Sequence, residues 1–161
     1  MTSCIIPGSF DPLTEGHMNL IRRAAGMFDR VTVTVMVNVS KKGCIPYAER
    51  EKIIRKACRE IPNVGTERWE GLLADYVRAH PGSFVVRGVR NGAEYEQERT
   101  AAAVNRRLYP GTETLLMLSE EGCSEISSSA VREIAAFGGN YEAFVPAEVL
   151  EDIRPWLERK E

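Results

Sequence analysis

The 161-residue chain has little that would commit it to a metal cluster, a disulfide scaffold, a membrane or a polyanion. Its four cysteines, Cys4, Cys44, Cys58 and Cys123, are far apart with no Cys-x-x-Cys pair. Its two histidines, His17 and His80, are not spaced with them as zinc ligands are. The thiols are therefore read as reduced bystanders, and no protein-held metal is expected. No apolar run approaches the roughly 18 residues that a membrane span needs. Met1–Ile6 also lacks the basic start and long apolar stretch of a signal peptide, so a soluble cytoplasmic protein with no membrane partner is expected. A formal net charge of −2 leaves no general polyanion-binding surface, so nucleic acid is not an expected partner. The Gly-x-x-x-x-Gly-Lys-Ser/Thr loop and the Gly-x-Gly-x-x-Gly turn are both missing, which removes the main support for an ordinary kinase or dehydrogenase.

What the chain does have is alternation. Short β-like runs at Ser3–Ile6, Val31–Val37, Val64–Trp69, Phe84–Val86 and Thr114–Leu118 are separated by segments with helical periodicity. The second run is the clearest strand, because Val31, Val33, Val35 and Val37 alternate with Thr32, Thr34 and Met36, all of them strand-compatible. Helices are predicted after His17 (Met18, Ile21, Ala25, Phe28) and over Glu49–Ile61, Leu72–Ala79, Glu94–Leu108 and Ser127–Phe137. Serines cap the last of these and Gly138-Gly139 ends it. Pro146 would open a final helix that Pro155 would kink or stop. The expected fold is a single doubly wound, Rossmann-like α/β domain over residues 1–161. It has a five-stranded parallel sheet with helices on both faces.

Such sheets bind ligands beyond the carboxyl ends of their strands. The unusual segments all follow strands: Pro7-Gly8-Ser9-Phe10-Asp11-Pro12, Asn38–Lys42, Gly71-Leu72-Leu73, Arg87-Gly88-Val89-Arg90 and Ser119–Ser129. Together they bring His17, Lys41, Lys42, Arg87 and Arg90 to one edge, with glycines, serines and a helix start. Those are the parts of a phosphate site. Gly8 is expected to let the backbone approach a ligand, and Gly16-His17 sets an imidazole at a helix start, where Nε2 can donate to a phosphate oxygen. Taken singly, each residue also has a plainer reading. His17 can be a surface or capping residue and Lys41 a solvated loop charge. Arg87 and Arg90 can be partners of helix carboxylates, Glu94–Glu98 an acidic first turn, and Ser127–Ser129 a helix cap.

Two ordered signatures narrow the choice. Thr14-Glu15-Gly16-His17 after the first strand and Ile126-Ser127-Ser128-Ser129 after the fifth resemble the Thr/His-x-Gly-His nucleotidylyltransferase superfamily. The chain is similar, from Ile6 to about Val149, to its bacterial phosphopantetheine adenylyltransferase family. The opening motif is followed in order by Ser40-Lys41-Lys42, Glu49-Arg50, Arg87-Gly88-Val89-Arg90, Tyr95-Glu96-x-Glu98, Asn105-Arg106, Glu113-Thr114 and Ser127-Ser128-Ser129-x-Val131-Arg132-Glu133.

The resemblance implies reversible AMP transfer from ATP to 4′-phosphopantetheine, giving 3′-dephospho-CoA and pyrophosphate, with Mg2+ bound mainly through the ATP phosphates. His17 and Lys41 would be catalytic. ATP would meet Ser9, Phe10, His17, Gly88, Val89, Arg90, Glu98 and the segment Cys123, Ser124, Glu125, Ile126, Ser127, Ser128, Ser129. The acceptor would meet Ser9, Lys41, Leu73, Arg87 and Asn105. A homohexamer built as a dimer of trimers is also implied, with Trp69, Tyr141 and Trp156 as aromatic residues available for contacts. Val39, Gly43, Asn91, Gly92 and Gln97 depart from the family pattern and bear on the loops and the adenine contacts. The competing readings are CMP transfer to a glycerol- or choline-type phosphate, AMP transfer to nicotinamide mononucleotide, and a non-catalytic nucleotide-binding or signalling module. A response receiver would need an acidic pair after the first strand and a lysine after the fifth, where this chain has Asp11 alone and Ser119-Glu120-Glu121.

Overall fold

A computed structural model describes residues 1–37, 43–123 and 125–158. Strands and helices alternate along the chain: β1 (Ser3–Gly8), α1 (Glu15–Ala25), β2 (Arg30–Val37), α2 (Tyr47–Ala57), β3 (Val64–Glu70), α3 (Leu73–Ala79), β4 (Ser83–Val89), α4 (Gly92–Leu108), β5 (Glu113–Leu118), α5 (Ser128–Ala136) and α6 (Leu150–Leu157). All strand pairs are parallel, in the order β3-β2-β1-β4-β5. The direction of winding reverses between β1 and β4, so a crevice opens at their carboxyl ends.

The alternation predicted a sheet covered on both faces, and the core shows why. Val31, Val33 and Val35 are fully buried under Met18, Ile21 and Ala24 of α1 and Ile53 and Ile54 of α2. On the other face Ile5 and Val85 pack with Tyr76 and Val77 of α3. Each such aliphatic side chain contributes about 1.5–3 kcal/mol when fully buried. Cys4 and Cys58 lie in the first of these cores, where burial pushes their thiols up to about 12 and about 11, so they stay protonated. None of the four cysteines forms a disulfide. No described helix is long and apolar enough to cross a membrane.

Several boundaries differ from the pattern. β1 runs on to Gly8 and β4 to Val89, so Pro7, Gly8, Arg87, Gly88 and Val89 are strand residues whose backbones the ladder fixes. Phe28 lies beyond the end of α1, and α2 begins at Tyr47 and ends at Ala57. Pro146 precedes a short 3-10 turn rather than opening α6 directly. Pro155 sits inside α6, which continues to Leu157; proline's missing N–H orphans only a carbonyl one turn earlier, at exposed Glu151. At the end of α5, Gly138 takes φ +71°. The N–H groups of Gly138 and Gly139 donate to the carbonyls of Ala135 (3.0 Å) and Ile134 (2.8 Å), closing the helix as a Schellman motif. Tyr141 is buried, and Trp69 and Trp156 pack against the chain's own two cores.

Candidate active site

The crevice at the β1–β4 switch is a cavity of about 270 Å³. Beside it lies a second cavity of about 410 Å³. Pro7, Gly8, Ser9, Arg87 and Glu98 line both, so the strand ends form a shared wall between two compartments.

The first signature is a helix cap. Thr14 N-caps α1, and its side-chain oxygen accepts the N–H of His17 at 3.3 Å. The Thr14 N–H in return donates to His17 Nδ1 at 3.1 Å. This is a reciprocal capping box with histidine where Glu or Gln is usual. Because Nδ1 accepts, the neutral imidazole carries its proton on Nε2, the nitrogen left for the cavity. Enclosure by protein lowers the His17 pKa from 6.5 to about 4, and the positive charges of Arg87 and then Arg90 push in the same direction. At neutral pH His17 is therefore an uncharged hydrogen-bond donor. The Phe10 ring stands edge-on to it, with centroids 4.9 Å apart. A Cβ at position 8 would lie 3.0 Å from that ring, so the tight approach at Gly8 is to Phe10.

The second signature caps α5. Ser127 Oγ accepts from the Ala130 N–H at 3.0 Å, and Ser128 Oγ donates to the Pro12 carbonyl at 2.7 Å. Both hydroxyls are thus engaged within the protein. What remains for an anion is the backbone N–H groups of the first helical turn and the positive end of the helix dipole. The starts of α1 and α5 contribute Gly16, His17, Ser127 and Ser128 to the same cavity.

Arg87 and Arg90 are both paired with carboxylates of α4. Arg87 forks onto Glu98, with Nη2–Oε1 at 2.6 Å and Nε–Oε2 at 2.9 Å, and also reaches the Pro7 carbonyl. Arg90 pairs with Glu94, whose carboxyl it holds below the usual range, and donates to the Ile126 carbonyl at 3.1 Å. The Arg90 contact to Ile126 ties β4 to the second signature.

Of the candidate residues, Ser9, Phe10, His17, Gly88, Arg90, Glu98, Cys123, Ile126, Ser127 and Ser128 line the first cavity. Leu73 and Asn105 line the second with Ser9 and Arg87. Three do not line either cavity: Val89 is buried, Glu125 lies off the walls, and the Ser129 hydroxyl is directed to Arg132 at 3.3 Å. In the strand, Val89 instead accepts the Ser119 N–H at 2.9 Å. Lys41 and Ser124 lie outside the described residues.

Sequence reasoning missed the buried pair of Asp11 and Arg50, 3.2 Å apart, and the role of Glu94. A glycine at position 43 was the available hint, since a Cβ there would lie 1.7 Å from the Arg50 guanidinium. Among the described residues no three His, Cys, Asp or Glu side chains form a metal-binding group.

The family model described as cytidylyltransferase-like matches residues 5–134. Proteins named phosphopantetheine adenylyltransferase are similar over nearly the whole chain. The one from Rubrobacter xylanophilus is 44% identical over 161 residues, covering 100% of this chain and 98% of its own. The one from Clostridium perfringens is 41% identical over 149 residues, covering 92% and 91%. Among solved structures, the nicotinic acid mononucleotide adenylyltransferase of Plasmodium falciparum complexed with NaAD superposes with a TM-score of 0.70. It covers 96% of this chain and 95% of its own at 12% identity, a likeness of fold. The chain belongs to the cytidylyltransferase-like family and, within it, to the phosphopantetheine adenylyltransferases.

Proposed function

We propose that the chain transfers AMP from ATP to 4′-phosphopantetheine, reversibly, giving 3′-dephospho-CoA and pyrophosphate in coenzyme A biosynthesis. The observation that carries this reading is the neutral His17 donor in a cavity flanked by two helix starts, beside a second, mostly apolar compartment. The second compartment's lining of Met36, Leu73, Val85, Ala101, Ala102 and Asn105 suits an extended amide-bearing chain.

The acceptor phosphate is anionic near neutrality and attacks the α-phosphorus without a strong base. Its oxygen forms the new P–O bond as the bond to the β-phosphate oxygen breaks. His17 Nε2–H donates to a non-bridging α-phosphoryl oxygen as charge builds there, and it neither takes up a proton nor forms a covalent bond. The start of α5 receives the departing pyrophosphate. Arg87, whose fork is matched to a carboxylate in Glu98, exchanges that partner for the acceptor phosphate, and Lys41 supplies the second cation.

Mg2+ accompanies ATP and neutralises phosphate charge when bound. The described residues offer no convergent carboxylate set, so phosphate oxygens would furnish most of its ligands.

The reading extends to a cytoplasmic homohexamer. The 17-residue helix α4 has no buried residue, and its Val104 and Leu108 lie exposed, as do Leu115 and Leu118 of β5; this apolar surface favours assembly. Sedimentation at the mass of six chains is expected, and a monomer would refute this part.

Pyrophosphate release should be rapid with ATP and phosphopantetheine, and slow with CTP or with glycerol, choline or nicotinamide nucleotide phosphates. Efficient CMP transfer without turnover of phosphopantetheine would overturn the assignment.

A further inference from the structure

Phe10 adopts φ +48°, a conformation that a bulky side chain rarely takes, and yet it is buried beside His17. Such a residue persists when its surroundings fix the peptides on either side. On one side the Ser9 carbonyl accepts from Arg50 Nη1 at 3.0 Å. On the other the Asp11 carboxylate lies 3.2 Å from Arg50 Nη2.

The pair is fully enclosed, with side chains 3% (Arg50) and 9% (Asp11) exposed. Arg50 Nε donates to the Ile45 carbonyl at 2.6 Å, and its guanidinium lies 4.3 Å from the Tyr47 ring centre. The two Asp11 oxygens accept the N–H groups of Ile45 and Cys44, each at 2.8 Å. One ion pair thus ties the Ser9–Asp11 turn to Cys44-Ile45 and to α2. From α5, Ser128 and Arg132 hold the carbonyls of Pro12 and Asp11.

Buried ion pairs are poor stabilisers, since apolar residues of similar shape often serve a fold as well. The distinctive effect of this pair is geometric, because Arg50 grips the Ser9 carbonyl before Phe10 and the Asp11 side chain after it. We propose that Asp11 and Arg50 are positioning residues for adenylyl transfer: they fix the Ser9–Asp11 turn so that Phe10 holds the His17 ring in its place on the cavity wall. Neither lines the cavity, and both act through Phe10. The kinetic part of this inference rests on the adenylyl-transfer reading; the structural part does not.

The test compares the full-length wild-type chain with the doubly neutral D11N/R50M variant, which leaves no unpaired buried charge, and with R50K, which retains the charge but loses the fork. Thermal unfolding identifies the variants that fold. In each of those, kcat and KM are measured for ATP and phosphopantetheine, and the His17 ring protons are titrated by NMR. The expected result is a fall in kcat of about 100-fold in D11N/R50M, the scale of a roughly 1 Å misplacement, with KM for ATP changed less than about threefold. R50K should fall in between. The His17 midpoint should rise from about 4 towards the ordinary histidine value as Phe10 loosens. An unchanged kcat, or an unmoved His17 midpoint, in a folded D11N/R50M or R50K variant overturns the proposal. If wild type itself fails to transfer AMP, the functional reading fails, and the His17 titration still decides whether Asp11 and Arg50 position the ring.

Discussion

Replacing His17 is the sharpest test of the chemistry, because the geometry gives this side chain one task. Its Nδ1 is occupied by the Thr14 N–H, so a single N–H at Nε2 remains to meet the α-phosphoryl group. Losing one preorganised donor to a developing oxyanion costs about 100- to 1000-fold in kcat, or roughly 3–4 kcal/mol. His17→Ala should lose that much turnover, with ATP affinity in calorimetry changed by only a few-fold. His17→Gln, whose amide carries an N–H at similar reach, should recover part of the loss. The pH dependence adds a second test. With the folded pKa near 4, the imidazole is neutral throughout the working range, so kcat/KM should show no acid limb near pH 6.5 attributable to His17. The same depression has a sign for stability. The neutral ring is favoured in the fold, so its contribution is fully present above pH 6.5. That contribution is lost as pH falls towards about 4, where the unfolded chain gains a proton and the folded one does not. The span corresponds to at most about 3 kcal/mol, reduced by whatever solvent the open cavity admits. Urea unfolding from pH 7 to pH 4 should show a larger loss in wild type than in His17→Gln, because carboxylates held low in the fold, such as Glu94, lose stability in both. Turnover of His17→Ala within about threefold of wild type, or a pH limb near 6.5 that disappears with His17, would refute the donor role.

Thr14→Val removes the cap oxygen of α1. It should cost about 1 kcal/mol in denaturant unfolding, with the His17 tautomer kept, because the Thr14 backbone N–H that Nδ1 accepts remains. Arg87→Lys keeps a charge but not the fork that grips Glu98. KM for phosphopantetheine should therefore rise about tenfold in steady-state kinetics, with KM for ATP nearly constant. Gly43→Ala would press a methyl onto a guanidinium already held by three partners, and should lower stability by about 1–3 kcal/mol in thermal or urea unfolding.

Much of the fold was legible because alternation is a local property. Val31, Val33 and Val35 read as a strand in isolation and are buried as one. The glycines after α5 read as a helix end and form one. The strand-end rule brings Ser9, His17, Gly88, Arg90 and Ser128 to one sheet edge, and all five line one cavity there. Boundaries were less legible where a strand continues through polar or glycine residues, as at Arg87-Gly88-Val89, because the β5 ladder and not the residue type extends it. Val89, expected to contact ATP, is buried in that strand and does not line the cavity.

The sequence alone determined which chemistry is available: two helix starts behind two strands, a histidine three residues from a capping threonine, and arginines at a strand end. Those are short-range patterns, and one chain is enough to read them. Only the tertiary structure decided what state those groups are in. Enclosure and two neighbouring arginines make His17 a neutral donor; carboxylates on α4 hold Arg87 and Arg90 before any substrate arrives; and a buried pair 39 positions apart in the chain, Asp11 and Arg50, grips the turn that carries Phe10. Protonation, pairing and strain depend on distances between segments remote in sequence, and those distances exist only once the sheet has assembled.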